Sequence, residues 1–137
     1  MKSNSQEYQY IRWFDEIGIG DVPLVGGKNA SLGELYRELA PQGINIPNGF
    51  AITAEAYWNL LSSTTLEQDL RNILTGLDTG DMENLRRRGA AIRHQITGTA
   101  LPERLQQEIL SAYRKLSAGS DRPVDVAARP LHPCRGP

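Results

Sequence analysis

Residues 25–34 read VGGKNASLGE, and this stretch decides how the surrounding chain can fold. Its two adjacent glycines, Gly26 and Gly27, allow a sharp bend because neither carries a Cβ. The apolar residues that follow recur at helical spacing, namely Leu32, Leu35, Tyr36 and Leu39. This spacing predicts a helix that ends before Pro41 and Gly43. The stretch therefore predicts a loop that runs directly into the N-terminus of a helix.

The segment formed by Gly26, Gly27 and Lys28 has the parts of a phosphate-binding site. The glycines let backbone amides approach an anion, the lysine adds positive charge, and the helix behind them presents free N–H groups and a positive dipole end. The spacing is not that of a Walker A loop. Asn29 and Ser31 either cap the helix or contact phosphate. A plain turn with a solvated lysine fits the same residues, so this segment alone leaves both interpretations open.

Short β segments are predicted on both sides of this helix. Residues 8–17 mix aromatic and β-branched residues and lead into a turn signal at 18–23. Residues 50–52 form a short apolar run of the kind found in buried strands, after a bend at 47–49. Thr53 is then predicted to cap a helix that begins at the next residue.

The second half of the chain is predicted to be mainly helical. A short helix is expected from Thr64 or Thr65 to Leu74, and Pro102 opens another that Gly119 ends. Its apolar stripe consists of Leu105, Ile109, Ala112, Tyr113 and Leu116. Residues 124–128 are predicted to begin a buried strand. This order of elements predicts an α+β fold with helices in the majority.

The clearest periodicity in the chain lies between Thr75 and Pro102. Apolar or small residues recur there at steps of three and four, namely Met82, Leu85, Gly89, Ile92 and Ile96. The pattern predicts a helix that buries this face. Four arginines lie mostly off the face, namely Arg86, Arg87, Arg88 and Arg93. They indicate either a solvated basic surface or a surface that binds anions.

Composition narrows the possible classes of function. The 137 residues carry 15 Lys and Arg against 16 Asp and Glu, so no overall field draws the chain to nucleic acid or to an anionic membrane. No apolar run approaches the roughly 20 residues that span a bilayer, and the first residues do not resemble a secretory signal. A cytoplasmic protein is therefore expected. The single Cys134, with His94 and His132, predicts neither a disulfide framework nor a metal site.

Two blocks carry a resemblance to a known family. Residues 26–34 (GGKNASLGE) and 46–53 (IPNGFAIT), in that order, resemble the start of the pyruvate-phosphate dikinase-like enzymes, as do residues 13–18 and 124–127. The likeness covers roughly residues 11–129, and the first block favours the phosphoenolpyruvate synthase branch. Rifampicin phosphotransferase and the dikinase itself share the Gly-Gly-Lys and Pro-x-Gly-Phe blocks.

The resemblance implies the first part of an ATP-grasp nucleotide-binding domain. In the full synthase it implies conversion of ATP, pyruvate and water to AMP, phosphoenolpyruvate and phosphate, by way of a phosphohistidine on another domain. It also implies that Lys28 contacts the ATP phosphates, that Gly26 and Gly27 cradle them, and that Arg129 clamps the transferred phosphate. Mg²⁺ is implied for the full enzyme, with ligands outside this chain. Pro47, Gly49 and Phe50 are interpreted as structural.

The last ten residues depart from the family pattern. Residues 1–127 are interpreted as a partial ATP-binding domain and 128–137 as an atypical segment, because Arg129 is followed by Pro130 and Leu131 where the family has two serines. Codons for residues 134–137, read one nucleotide later, can encode the family's Ala-Glu-Asp-Leu. We therefore expect a shifted reading frame near Ala128, and no complete reaction by this chain alone.

One alternative from a different class of function stays open at this stage. The chain could be a small helical interaction module, in which the arginines of the helix at 81–97 bind an acidic partner and Gly-Gly-Lys is only a turn. This hypothesis predicts no effect of ATP and no dependence on Lys28. A titration with nucleotide separates the two.

Overall fold

The computed structural model describes residues 7–130 and shows a helix-rich α+β chain, which confirms the predicted fold class at that level. Its strands are β1 (Ile11–Trp13) and β2 (Phe50–Ile52). Its helices are α1 (Val22–Val25), α2 (Gly27–Leu39), α3 (Ala54–Ser63), α4 (Leu66–Leu74), α5 (Met82–Gly98) and α6 (Glu103–Leu116). Short 3₁₀ helices lie at Phe14–Glu16, Ile19–Asp21 and Ala40–Gln42. Among these described helices, none has the length and apolar character needed to cross a membrane.

The chain divides into two compact units. The first comprises residues 7–56 and 104–130 of the described chain, and the second comprises residues 57–103. The partial domain at 1–127 and the atypical segment at 128–137 stay predictions, and residues 131–137 of that segment lie outside the described residues.

A two-stranded antiparallel sheet joins distant parts of the first unit. Ile11 pairs with Ile52 and Trp13 with Phe50, and the two aromatic rings meet edge to face at 5.5 Å. The strand predicted over 8–17 is shorter than expected. The chain leaves β1 after Trp13 because the Glu16 carboxylate accepts the Trp13 N–H at 2.8 Å and closes a 3₁₀ turn.

Two small apolar clusters form the core of this unit. The first consists of Ile17, Val25, Ala30 and Ala51, and the second of Tyr10, Ala56 and Leu105. The predicted apolar stripe of α6 is confirmed, because Leu105 and Ala112 are buried. The buried Glu108 on the same helix accepts the N–H groups of Gln9 at 3.0 Å and Tyr10 at 2.8 Å. Helix α6 is thereby tied to the chain just before β1.

The predicted cap at Thr53 is wrong. Its side chain is only 1% exposed, and its hydroxyl has no hydrogen-bond partner among residues 7–130. The hydrogen bonds at this position are made by the Thr53 backbone. Its N–H donates to the Tyr10 carbonyl at 2.8 Å, and its carbonyl accepts the Ala56 N–H at 3.1 Å. The side chain is turned into the core, away from the free amides of α3.

The buried strand predicted at 124–128 is also wrong. Residues 123–130 belong to no helix or strand, and Val126 is 57% exposed. The Val124 carbonyl accepts the Tyr113 hydroxyl at 2.7 Å, and its N–H donates to Ser117 at 3.2 Å. Because no strand within the described chain lies beside it, the apolar run stays unpaired and open to solvent.

In the second unit, α4 packs against α5 through polar contacts. Gln95 donates to Asp69 at 2.9 Å, and the Arg88 guanidinium donates to the Ile73 carbonyl. The predicted buried face of α5 is therefore wrong: Met82 is 73% exposed and Ile96 is 45% exposed. The hydrogen bonds of Arg88 and Gln95 turn a neighbouring face of the helix toward α4.

Candidate functional site

Gly26 joins α1 to α2 at a sharp bend. Its φ of 81° and ψ of 156° are accessible to glycine and strained for other residues. The Gly26 N–H donates to the Val22 carbonyl at 2.8 Å, which closes α1, and the Gly26 carbonyl accepts the Ala30 N–H at 3.0 Å, which opens α2. The prediction of a bend that runs directly into a helix N-terminus is confirmed.

The first turn of α2 presents backbone amides beside a free cation. The leading N–H groups of a helix have no acceptor within that helix, and here they belong to the half-exposed Gly27 and Asn29 and the exposed Lys28. Within residues 7–130, the Lys28 ammonium makes no ion pair or hydrogen bond. These amides, the dipole of a 13-residue helix and the lysine all favour an anion at the same place.

Asn29 has a structural role that the sequence did not indicate. Its side-chain amide donates to the Val25 carbonyl at 2.9 Å. It therefore caps the end of α1 and leaves the amides of α2 free, which is neither of the two roles predicted for it. Ser31 lies exposed on the next part of the helix.

The position of α2 is set by a close crossing with the preceding chain. A Cβ placed on Gly33 would lie 2.5 Å from both the carbonyl oxygen and the Cγ1 of Ile17. At the next residue, the Glu34 carboxylate accepts the Ile19 N–H at 3.2 Å. The helix is thus held against residues 17–19 by one contact that needs glycine and one that needs a carboxylate.

The second sequence block forms the support beneath this bend. The Gly49 carbonyl accepts the Phe14 N–H at 3.0 Å, and a Cβ on Gly49 would lie 2.7 Å from the Phe14 ring. Ala51 is buried against Ile17, Val25 and Ala30. The block therefore contributes packing next to α1 and α2.

Arg129 lies after α6, in a segment that belongs to no helix or strand. It is exposed, and within residues 7–130 no hydrogen bond or ion pair joins it to the segment at 26–28. The following Pro130 favours an extended backbone at position 129. Gly26, Gly27 and Lys28 follow one another at the opening of α2, and the roles of these residues and of Arg129 stay predictions.

A separate cleft of about 460 Å³ lies on the first unit and was missed by the sequence analysis. Its walls include Arg12, Trp13, Asp15, Asn48 and Lys115. The Lys115 ammonium lies 5.7 Å from the centre of the Trp13 ring, and its hydrogen bond to Glu7 raises the pKa of Lys115. No spacing in the sequence links these residues, which meet only through the packing of α6 near β1.

No metal-binding cluster is present in the described part of the chain. Within residues 7–130, no group of three or more His, Cys, Asp or Glu side chains is arranged to hold an ion. The candidate site offers a cation and backbone amides, which suit phosphate.

A family model and individual relatives of the chain point to the same group of proteins. The family model described as "Pyruvate phosphate dikinase, AMP/ATP-binding domain" matches residues 22–130. The chain is 45% identical over 120 residues to a phosphoenolpyruvate synthase of Aquifex aeolicus (strain VF5), which covers 87% of this chain and 14% of that protein. It is 48% identical over 108 residues to the enzyme of that name from Synechocystis, covering 79% and 13%.

A third relative extends the comparison to Escherichia coli (strain K12), whose phosphoenolpyruvate synthase is 38% identical over 119 residues, covering 87% of this chain and 15% of that protein. The chain thus spans about 14% of the length of the curated relatives it matches. The matched region includes Gly26, Gly27, Lys28 and Arg129.

Proposed function

We propose that this chain, which belongs to the family of pyruvate phosphate dikinase AMP/ATP-binding domains, binds the phosphates of ATP at Gly26, Gly27 and Lys28. The observation that carries the proposal is the bend at Gly26, which opens α2 with free amides next to an exposed lysine that is unpaired within residues 7–130. The description of the matching family as an AMP/ATP-binding domain supports ATP as the nucleotide.

The chemistry of the site follows from its charges. The amides of the first turn of α2 would each donate to a phosphate oxygen, and the helix dipole adds partial positive charge. Lys28 would place a compact cation against the same oxygens, where negative charge develops during phosphoryl transfer. Gly26 has no side chain, so it leaves room for the phosphates to reach the backbone amides.

The full activity would require the remainder of a synthase. We propose that the chain corresponds to the N-terminal part of an enzyme that converts ATP, pyruvate and water to AMP, phosphoenolpyruvate and phosphate, as in gluconeogenesis in the cytoplasm. We also propose an ATP-grasp arrangement for the complete nucleotide domain. Mg²⁺ would accompany ATP, with its protein ligands outside residues 7–130. Arg129 would clamp the transferred phosphate, as proposed from the family likeness.

Binding of ATP by matched variants tests the proposal. Lys28→Met should weaken ATP binding roughly tenfold to a hundredfold, since a hydrogen bond to a charged group contributes about 1.5–3 kcal/mol. Arg37→Ala is the control, because Arg37 is also an exposed cation of α2 but lies in its last turn. The measurement is calorimetric titration of the 137-residue chain.

Each of the two variants removes one positive charge from α2, so a difference between them distinguishes binding at Lys28 from general attraction of ATP to positive charge. Lys28 is exposed, so its replacement should leave the unfolding midpoint unchanged. Equal weakening by Lys28→Met and Arg37→Ala, or ATP affinity that is unchanged in Lys28→Met, would contradict the proposed site.

A further inference from the structure

One face of α5 in the second unit combines apolar and basic side chains with helical spacing. Steps of four, three, four and three residues place five positions in line, namely Met82, Arg86, Gly89, Arg93 and Ile96. Leu85 lies beside this line, three residues after Met82 and four before Gly89. We call these six residues the α5 stripe.

The α5 stripe is open to solvent although half of it is apolar. Met82 is 73% exposed, Ile96 is 45% exposed and Leu85 is 39% exposed. No residue of α5 is buried. The helix makes its hydrogen bonds to α4 through Arg88 and Gln95, which lie on a different face. Within residues 7–130, the stripe is therefore an apolar surface that folding leaves uncovered.

Gly89 leaves the centre of the α5 stripe without a side chain. The nearest atom to a Cβ placed there would be Nη1 of Arg93, at 3.4 Å. A glycine in the interior of a helix costs about 1 kcal/mol relative to alanine, and here no neighbouring backbone requires it. Its position suits the close approach of another chain, between the apolar ends at Met82 and Ile96.

The charge beside the stripe is unbalanced. Arg86 and Arg93 are both exposed, and neither makes an ion pair within residues 7–130. The only acidic residue of α5 is Glu83. Arginine is the cation most enriched at protein interfaces, where its planar fork pairs with carboxylates.

We propose that the α5 stripe docks an acidic amphipathic helix of a partner protein, with apolar side chains against Met82, Leu85 and Ile96 and carboxylates beside Arg86 and Arg93. Charge complementarity selects this occupant. A second copy of α5 would bring arginines against arginines. Nucleic acid would leave the apolar residues of the stripe uncovered. A membrane surface is also a poor match, because helices that lie on membranes carry large apolar and aromatic side chains, whereas this stripe has no aromatic residue and has glycine at its centre.

The probe for this proposal is a pair of synthetic peptides of about 18 residues, the length of five helical turns. Both carry leucine along one face, and they differ only in having glutamate or lysine on the flanks. Fluorescence anisotropy with the 137-residue chain should show binding of the glutamate peptide and at least about tenfold weaker binding of the lysine peptide.

Two charge reversals on the same helix locate the contact. Arg93→Glu should weaken binding of the glutamate peptide by about tenfold. Arg87→Glu changes the net charge by the same amount, but Arg87 lies about 120° around the helix from Arg93, so its effect should be clearly smaller than that of Arg93→Glu. Met82→Ser should also weaken binding of the glutamate peptide. Because all three residues are exposed, circular dichroism should show the same helix content in the three variants as in the parent chain.

Several outcomes would overturn the proposal. These are equal binding of the two peptides, equal effects of Arg93→Glu and Arg87→Glu, and no effect of Met82→Ser. Displacement of the glutamate peptide by duplex DNA or by phosphatidylserine vesicles at equal charge would also contradict it, because the preferred partner would then be a different class of molecule. ATP titration is independent of all four, since the proposed phosphate site lies in the first unit.

Discussion

Gly33 is the residue at which α2 crosses the preceding backbone most closely. A Cβ there would meet the Ile17 carbonyl at 2.5 Å, a separation that requires the backbone to move. Overpacking of this kind costs about 1–3 kcal/mol, against about 1 kcal/mol that alanine adds to a helix interior. We expect Gly33→Ala to lower the free energy of unfolding by a net amount of up to about 2 kcal/mol, because the contact is with backbone, which places the cost in the upper part of the range.

Chemical denaturation of Gly33→Ala and of a control measures this effect. Gly20→Ala is suitable, because a Cβ on Gly20 has nothing within 4 Å. The control should unfold like the parent chain. A Gly33→Ala chain as stable as the parent would show that α2 can shift away from Ile17 at no cost.

Glu108 makes the stability of the first unit depend on pH. Burial by itself would raise the pKa of Glu108, but the N–H groups of Tyr10 and Gln9 and the side chain of Arg104 together lower that pKa below its ordinary value. A lowered folded-state pKa means that the carboxylate stabilises the fold above its unfolded pKa of about 4.3. This stabilisation is lost as the pH falls through the lower, folded-state pKa.

We expect Glu108→Gln to remove part of the loss of stability in acid. At neutral pH the variant should be destabilised by about 1–3 kcal/mol, because two backbone amides lose a charged acceptor. Urea unfolding between neutral pH and about pH 3 tests this, with the exposed Glu38→Gln as the control. An unchanged pH profile in Glu108→Gln would refute the role of this carboxylate.

At the scale of elements, the N-terminus of α5 depends on a single cap. The Asp81 side chain accepts the N–H groups of Glu83 at 2.9 Å and Asn84 at 3.1 Å. Asp81→Ala should cost about 1 kcal/mol, whereas Asp81→Asn keeps an oxygen acceptor and should cost less. Thermal unfolding followed by circular dichroism compares them, and equal midpoints for the two variants would contradict the cap.

Local patterns predicted several elements correctly because their signals lie within a few residues. Phe50–Ile52 follows a bend at 47–49 and forms β2 as expected, and the spacing from Leu32 to Leu39 correctly indicated α2. The bend at Gly26 was likewise visible, because glycine is the residue that such a backbone requires.

Other features could not be predicted because they depend on distant partners. The periodicity of α5 indicated an apolar face, but the bonds of Arg88 and Gln95 to α4 decide which face is covered. The apolar residues at 124–128 favour a strand, yet no strand of the described chain lies beside them. In the candidate site, the role of Asn29 depends on the position of the Val25 carbonyl, which only the folded chain defines.

At the scale of the whole molecule, the two units differ in how much apolar surface they bury. Within 57–103 the buried apolar side chains are Leu61 and Leu66, while the first unit has two clusters around Ile17 and Tyr10. Fewer buried contacts lower the free energy of local opening. We expect amides of α4 and α5 to exchange with solvent deuterium faster than those of α2 and the β1–β2 pair. Equal protection across both units would contradict this difference.

We propose that the opening of α2 binds the phosphates of ATP. The most direct test is to titrate the isotope-labelled chain with ATP, and separately with adenosine, while the backbone amide resonances are followed by NMR. We expect ATP to shift the amides of Gly26, Gly27, Lys28 and Asn29 most strongly, and adenosine to leave them unchanged. Shifts confined to other residues, or no difference between ATP and adenosine at this bend, would contradict the claim.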